Sequence, residues 1–419
     1  AWASERLFNI YLLSIVGKNY KILELQRTFV QNLDITIDIR PKFENGICVC
    51  FSSDNNYAPY LAVTIKSLIE NSSSNNYYEI YILNDNIETI SKNRILEMSN
   101  SNIYIRFIKI NLYINKELKE KLFVDRHLSI STYYRFFIPR IFKHFEKILW
   151  LDSDLIIFDD ISKIFNIELG HYMIGACKDS EMFRRVFYEK DKITKNWINY
   201  FKSVIPLDNP ENYFQAGVLL FNINILLKKD LEAEFIKCVN KFKFPKNHDQ
   251  DILNYICQNK VKYFNISWNV LWSIPFYFNL HYVFPKYYCE EYINSYNNPK
   301  IFHYCGEIKP WQNPNYPKAN LWWKYARMTD FYEEIIYKNC SNNIYSNNNR
   351  FSIADFILSF VNNENELSIM FFGVKIRIKK NFLQENYIYY NKKDRIFSIY
   401  ENSKYRRITI LGIKITIKK

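Results

Sequence analysis

The stretch Lys147-Ile148-Leu149-Trp150-Leu151-Asp152-Ser153-Asp154 sets the frame for the rest of the chain. Four apolar residues in a row suit a strand buried on both faces, as in a mostly parallel sheet. Two carboxylates follow at once, spaced by one residue. In extended chain such residues share a face, and at a strand end both can turn to one cation. Open α/β sheets collect ligands at the carboxyl ends of their strands. Carboxylate oxygens suit Mn²⁺ or Mg²⁺, whose charge can hold a diphosphate. Aspartates at this spacing also arise by chance, so from this stretch alone both readings stand.

Upstream, ICVCF (47–51) reads as a buried strand and APYLAVTIKSLIE (58–70) as a helix with apolar residues three and four apart. YEIYIL (78–83) is a strand, 88–98 a helix, and 104–110 a strand. Downstream, MIGAC (173–177) and GVLLFNI (217–223) read as strands, and a helix carrying DILNYIC starts near His248 or Asp249. This alternation predicts an α/β domain with a covered sheet over about 46–330. Residues 1–45 are expected to form a helical extension, either packed on the domain or touching a partner or membrane. The polar stretch CSNNIYSNNNR (340–350) reads as part of a linker over 331–350.

The last part, 351–419, contains an echo: IMFFGVKIRIKK ends at Lys380 and ITILGIKITIKK at Lys419. Each alternates Ile with Lys or Arg after a Gly, a period of two that predicts strands. The sequence carries a formal +13, and residues 371–419 hold 13 Lys or Arg against 3 Asp or Glu. Such a basic region suits an anionic membrane or glycolipid surface, or is simply solvated. No nucleic-acid motif accompanies it, and nucleic acid is not expected as a partner.

Hydrophobic residues at 48% and charged residues at 24% exclude a disordered chain. Eight cysteines with no CxxC pair read as reduced thiols in a cytosolic protein. No apolar run reaches the 18 residues of a membrane span. The sequence has no GxGxxG, no GxxxxGK[ST], no GxSxG and no paired-cysteine zinc motif. Any phosphate must therefore be held by a metal and side chains.

Three further clusters stand out. His303-Tyr304-Cys305-Gly306-Glu307-Ile308-Lys309-Pro310-Trp311 offers an imidazole, a glycine that admits close backbone approach, and a point charge. It also reads as a core histidine with a turn glycine and a surface lysine. Asn247-His248-Asp249-Gln250-Asp251 opens a helix and is more polar than capping requires. Asp54-Asn55-Asn56 follows the first strand, where an Asx turn is equally ordinary.

Taken together and in order, FSSDNNYAPYLAVTIKSL, RHLSISTYYRF, ILWLDSDLI, YFQAGVLLFNI, HDQDILN and HYCGEIKPW resemble the family 8 retaining glycosyltransferases. Within that family they look most like the bacterial lipooligosaccharide α-galactosyltransferases. The resemblance covers about 46–312 and implies a GT-A type nucleotide-sugar fold with a central mixed, mostly parallel sheet. It implies Mn²⁺, or Mg²⁺, on Asp152, Asp154 and His303. It implies a UDP-sugar, with UDP-galactose or UDP-glucose as donor, held by Asp54, Asn56, Tyr57, Arg135, Asp152, Ser153, Gln215, Gly306 and Lys309. Asp179 and Asp249 match residues at the donor sugar, and Gln250 the side chain on its reactive face. The acceptor implied is an oligosaccharide or glycolipid such as lipooligosaccharide. The basic segment 371–419 and the absence of a membrane span lead us to expect peripheral association with the inner face of the cytoplasmic membrane. The galactosyltransferase pattern YFNAG is YFQAG here, so Gln215 leaves glucose or an N-acetylhexosamine open as the donor sugar. A self-glycosylating or protein-directed glucosyltransferase, or a non-catalytic glycan-binding protein, stays as the alternative.

Overall fold

The structure, a computed structural model, describes residues 38–114, 118, 120, 122, 130–187, 192–242, 245–271, 285–313 and 315–346, and six strands between 358 and 418. The chain divides into two compact units, 1–340 and 341–419. The expected helical extension falls almost wholly on 1–37, outside the described residues.

In the first unit, apolar runs form strands and amphipathic segments cover them. The chain order is β1 (Ile47–Ser53), α1 (Ala58–Glu70), β2 (Tyr78–Asn84), α2 (Thr89–Leu96), β3 (Ile103–Lys109), β4 (Lys147–Leu151) and β5 (Leu155–Ile157). Then come β6 (Ile174–Lys178), α3 (Ser180–Phe187), β7 (Phe214–Asn222), α4 (His248–Cys257), β8 (Val261–Phe264), β9 (Val270–Leu271) and β10 (Ile301–His303). Further helices lie between these elements. One of them, Tyr332–Ser346, runs through most of the stretch read as a linker.

The seven-stranded sheet has the order β3-β2-β1-β4-β7-β6-β8. Only β7 runs against its neighbours, so the sheet is mixed and mostly parallel. Leu149, Trp150 and Leu151 are wholly buried, as a central strand covered on both faces requires. The chain leaves β1 toward β2 and β3, then returns to place β4 on the other side of β1. That reversal opens a crevice at the carboxyl ends of β1 and β4, where a ligand fits.

A second sheet, β5-β10-β9, begins where β4 stops. Asp152, Ser153 and Asp154 are the three residues that carry the chain from one sheet to the other. Short strands such as β5, β9 and β10 have too few residues for a period to be read from sequence.

Glu79 anchors the start of the described chain. Its buried carboxylate accepts from the Lys42 N–H at 2.9 Å and the Phe43 N–H at 2.8 Å. A buried carboxylate without such partners would cost several kcal/mol.

In the second unit two three-stranded antiparallel sheets follow one another: β11 (Leu358–Asn362), β12 (Glu366–Phe371) and β13 (Val374–Lys379), then β14 (Phe397–Glu401), β15 (Tyr405–Ile410) and β16 (Ile413–Lys418). Each strand of the second sheet starts 39 residues after its counterpart, as Leu358 and Phe397 show. The register pairs Ile369 with Ile376 and Ile408 with Ile415, so apolar positions share one face of each sheet. Lys375, Arg377 and Lys379 occupy the alternate positions of β13.

Candidate functional site

The register of the small sheet builds the core of the site. β10 is antiparallel to β5 and pairs His303 with Leu155, directly after Asp154. The Tyr304 N–H donates to the Asp154 carbonyl at 3.0 Å, and the Asp152 N–H to the Gly217 carbonyl at 2.9 Å. His303 is thereby brought to the two aspartates from 150 residues away in sequence. His303 Nε2 lies 3.2 Å from Asp154 Oδ1 and 4.0 Å from Asp152 Oδ2. One ligand atom from each of the three residues falls within 4.8 Å of the others.

Their other atoms are already committed. Asp152 Oδ1 accepts from Trp150 Nε1 at 2.9 Å and from an Arg135 terminal nitrogen at 3.0 Å, leaving Oδ2 toward His303. Asp154 Oδ2 is 2.6 Å from Lys309 Nζ, leaving Oδ1. Burial works against the Asp154 carboxylate, yet its pKa is held below the usual range, with Lys309 the largest of the opposing influences. Burial also opposes the Lys309 charge, and Asp154 more than restores it. Two hard carboxylate oxygens and one imidazole nitrogen are a donor set that fits a divalent cation.

These groups line a cleft of about 480 Å³. Asp54, Tyr57, Arg135, Ser153, Gln215, Gly306 and Lys309 line it too. Asp54 also caps a turn, accepting from the Tyr57 N–H at 3.0 Å. Asn56 is exposed and is not among the lining residues. Gly306 has φ +92, a left-handed backbone that only glycine adopts without strain.

Asp179, Asp249 and Gln250 are not among the lining residues. Asp249 Oδ2 is 3.1 Å from Arg135 Nε, and its Oδ1 accepts from Thr132 Oγ1 at 2.5 Å. Burial raises the Asp249 pKa, against the pull of Arg135. Gln250 Nε2 donates to Asp179 Oδ2 at 3.0 Å, and Gln250 Oε1 accepts from the Ala216 N–H at 2.9 Å. Burial lifts Asp179 to about 6. Arg135 is buried, and its two carboxylate partners give its charge the compensation that burial demands.

Sequence reasoning missed four contributors. Thr132 and Trp150 lie inside quoted motifs but carry no mark of their own. Asn269 follows Trp268 with no motif around it, yet it touches both His303 and Gln215. Gly217 matters for what it lacks: a Cβ there would lie 2.3 Å from His303 Cε1 and 2.9 Å from Asp152 Oδ2.

Comparison with known proteins places this chain in a family. The model for glycosyl transferase family 8 matches residues 48–314. A Haemophilus influenzae protein is 30% identical over 223 residues, which cover 53% of this chain and 62% of that protein. The lipopolysaccharide 1,2-glucosyltransferase of Escherichia coli is 25% identical over 68% of this chain and 78% of its own. Among solved structures, the bifunctional glycosyltransferase WbbM has a TM-score of 0.63 at 28% identity. That likeness covers 80% of this chain and 59% of WbbM. The galactosyltransferase LgtC, in complex with donor and acceptor sugar analogs, has a TM-score of 0.55 at 24% identity, covering 67% of this chain and 96% of LgtC. This chain thus spans less than two thirds of the Haemophilus protein and of WbbM. Its mixed sheet with flanking helices is a GT-A type fold, as the motifs implied. With the family model spanning more than half of the sequence, this chain belongs to glycosyl transferase family 8.

Proposed function

We propose that this enzyme transfers a hexose from a UDP-sugar to a hydroxyl of a surface glycan, with retention at the anomeric carbon. UDP-galactose or UDP-glucose is the proposed donor. A lipooligosaccharide or lipopolysaccharide is the proposed acceptor, in keeping with the Escherichia coli relative. The observation that carries this reading is the convergence of Asp152, Asp154 and His303 beside Lys309 in one cleft.

A divalent cation held by Asp152, Asp154 and His303, Mn²⁺ or Mg²⁺, would supply charge stabilisation for the departing diphosphate. Lys309 adds a cation at the same place, and its ammonium can shift from Asp154 to a phosphate oxygen. Gly306 admits the diphosphate close to the backbone, and Asp54 and Tyr57 meet the nucleoside end. Arg135 keeps Asp152 and Asp249 in place.

Retention is proposed to occur by same-face substitution. The bond from the anomeric carbon to the phosphate oxygen breaks as the acceptor oxygen bonds on the same side. The hydroxyl proton passes to the departing phosphate. What supports this over a covalent intermediate is the state of the alternatives. Gln250 is a neutral amide tied at both ends, and Asp249 is held by Arg135 and Thr132. Neither is a free nucleophile.

The basic alternate positions of β13 and β16 support a peripheral attachment to an anionic membrane surface. No helix among the described residues is long and apolar enough to cross a membrane.

The test is UDP release from UDP-galactose, UDP-glucose and both UDP-N-acetylhexosamines, with Mn²⁺ and with EDTA, in the presence of lipooligosaccharide. Metal-dependent release from a hexose donor, with an α-linked product, is expected. Equal release in EDTA would sink the metal-assisted reading.

A further inference from the structure

We propose that Asn269 is a positioning residue that fixes the His303 proton and the Gln215 amide together; the inference rests on the metal and donor roles proposed above. It follows from one group whose identity is beyond choice. The Gly217 backbone N–H can only donate, and it lies 2.5 Å from the Gln215 side chain. The Gln215 atom that meets it must be the acceptor Oε1.

Gln215 Oε1 also lies 2.6 Å from the Asn269 side chain, so the Asn269 atom there is the donor Nδ2. Asn269 then turns Oδ1 toward His303 Nδ1, at 3.0 Å. An oxygen acceptor at that place requires the proton on Nδ1. His303 Nε2 is left as a bare lone pair, 3.2 Å from Asp154 Oδ1. A lone pair and a carboxylate that close repel one another unless a cation lies with them. Asn269 thus holds His303 in the tautomer that can ligate a metal.

The same chain of donors orients Gln215. With Oε1 taken twice, Gln215 offers its Nε2 as a donor to the cleft it lines. That donor matches an oxygen acceptor on the donor sugar. Asn269 is 1% exposed, so no water replaces it at low cost. It also leads directly into β9, whose pairing with β10 sets His303 beside Leu271.

The experiment uses the full chain with ¹⁵N-labelled histidine, freed of metal, at a pH where the imidazoles are neutral. The chain has six histidines, and the signals lost in His303→Asn assign His303. His303 is expected with the proton on Nδ1. In Asn269→Ala the population should move toward Nε2–H, and Mn²⁺ should bind about 10- to 100-fold more weakly by titration. Asn269→Asp keeps an acceptor for Nδ1–H and loses the donor to Gln215. It should keep the Nδ1–H signal while the donor-sugar KM rises several-fold. If Asn269→Ala does not fold, the tautomer of the unmodified chain and the Asn269→Asp variant decide. An Nε2–H tautomer in the unmodified chain, or Mn²⁺ affinity unchanged in a folded Asn269→Ala, overturns the inference. Failure of the unmodified chain to bind Mn²⁺ overturns the underlying functional reading instead, and the inference with it.

Discussion

Asp179 carries two duties at one carboxyl. Its Oδ1 accepts from the Met182 N–H at 2.9 Å, capping the start of α3, while its Oδ2 accepts from Gln250. Burial is the largest influence on it and lifts its pKa to about 6, above the 3.8 of a free aspartate. The protonated form is therefore favoured in the folded chain relative to the unfolded one. Its contribution to stability is full below about pH 4 and is lost as pH rises through 6. The loss is on the order of 2 to 3 kcal/mol. Asn caps a helix as well as Asp does. Urea unfolding from pH 4 to 7.5 should show Asp179→Asn gaining on the unmodified chain as pH rises. Parallel pH profiles for the two proteins would contradict the buried, titrating carboxyl.

At the scale of the element, the start of α4 shows how three adjacent polar residues find three targets. Successive helical residues turn by about 100°, so Asp249, Gln250 and Asp251 diverge. Asp249 meets Arg135 and Gln250 meets Asp179. Asp251 goes to the core, where it accepts from Tyr200 and Tyr213 at 2.6 Å each and from the Asn247 N–H at 2.9 Å. His248, the first residue of α4, has φ +46, in the left-handed region that residues other than glycine rarely adopt. Asp251→Ala removes the acceptor of two buried hydroxyls and should cost about 2 to 4 kcal/mol. The measurement is the midpoint of denaturant unfolding. A shift under about 0.5 kcal/mol would mean that water satisfies the hydroxyls instead.

At the scale of the molecule, charge is segregated from chemistry. The family match ends at residue 314, and the repeated sheets carry Lys375, Arg377 and Lys379 in β13 and Lys414 and Lys418 in β16. Each basic residue near an anionic surface contributes about 1 kcal/mol, and the attraction fades within a Debye length. Replacing these five residues by Gln is expected to release the enzyme from vesicles containing anionic lipid, at low salt, in a sedimentation assay. UDP release on a soluble acceptor should stay unchanged. Undiminished sedimentation of the five-residue variant would overturn the proposed attachment through these residues.

Much of this was legible along the chain, because it rests on short-range patterns. Apolar runs marked β1, β2, β4, β6 and β7, and amphipathic spacing marked α1. Motif order singled out Asp152, Asp154, His303 and Lys309, since each sits in a local signature. β7 begins three residues earlier than its apolar run: Phe214 pairs with Lys178 across a register shift, and the buried polar Gln215 breaks the pattern that reveals a strand. The sequence by itself determined the alternating α/β framework, the strand-end aspartates and the basic period-two tail. Tertiary structure alone decided the partners: the antiparallel register that sets His303 beside Asp154, the empty Cβ position of Gly217, and the bridging of His303 and Gln215 by Asn269. Those contacts join residues far apart in the chain, and no local periodicity encodes which buried amide meets which imidazole.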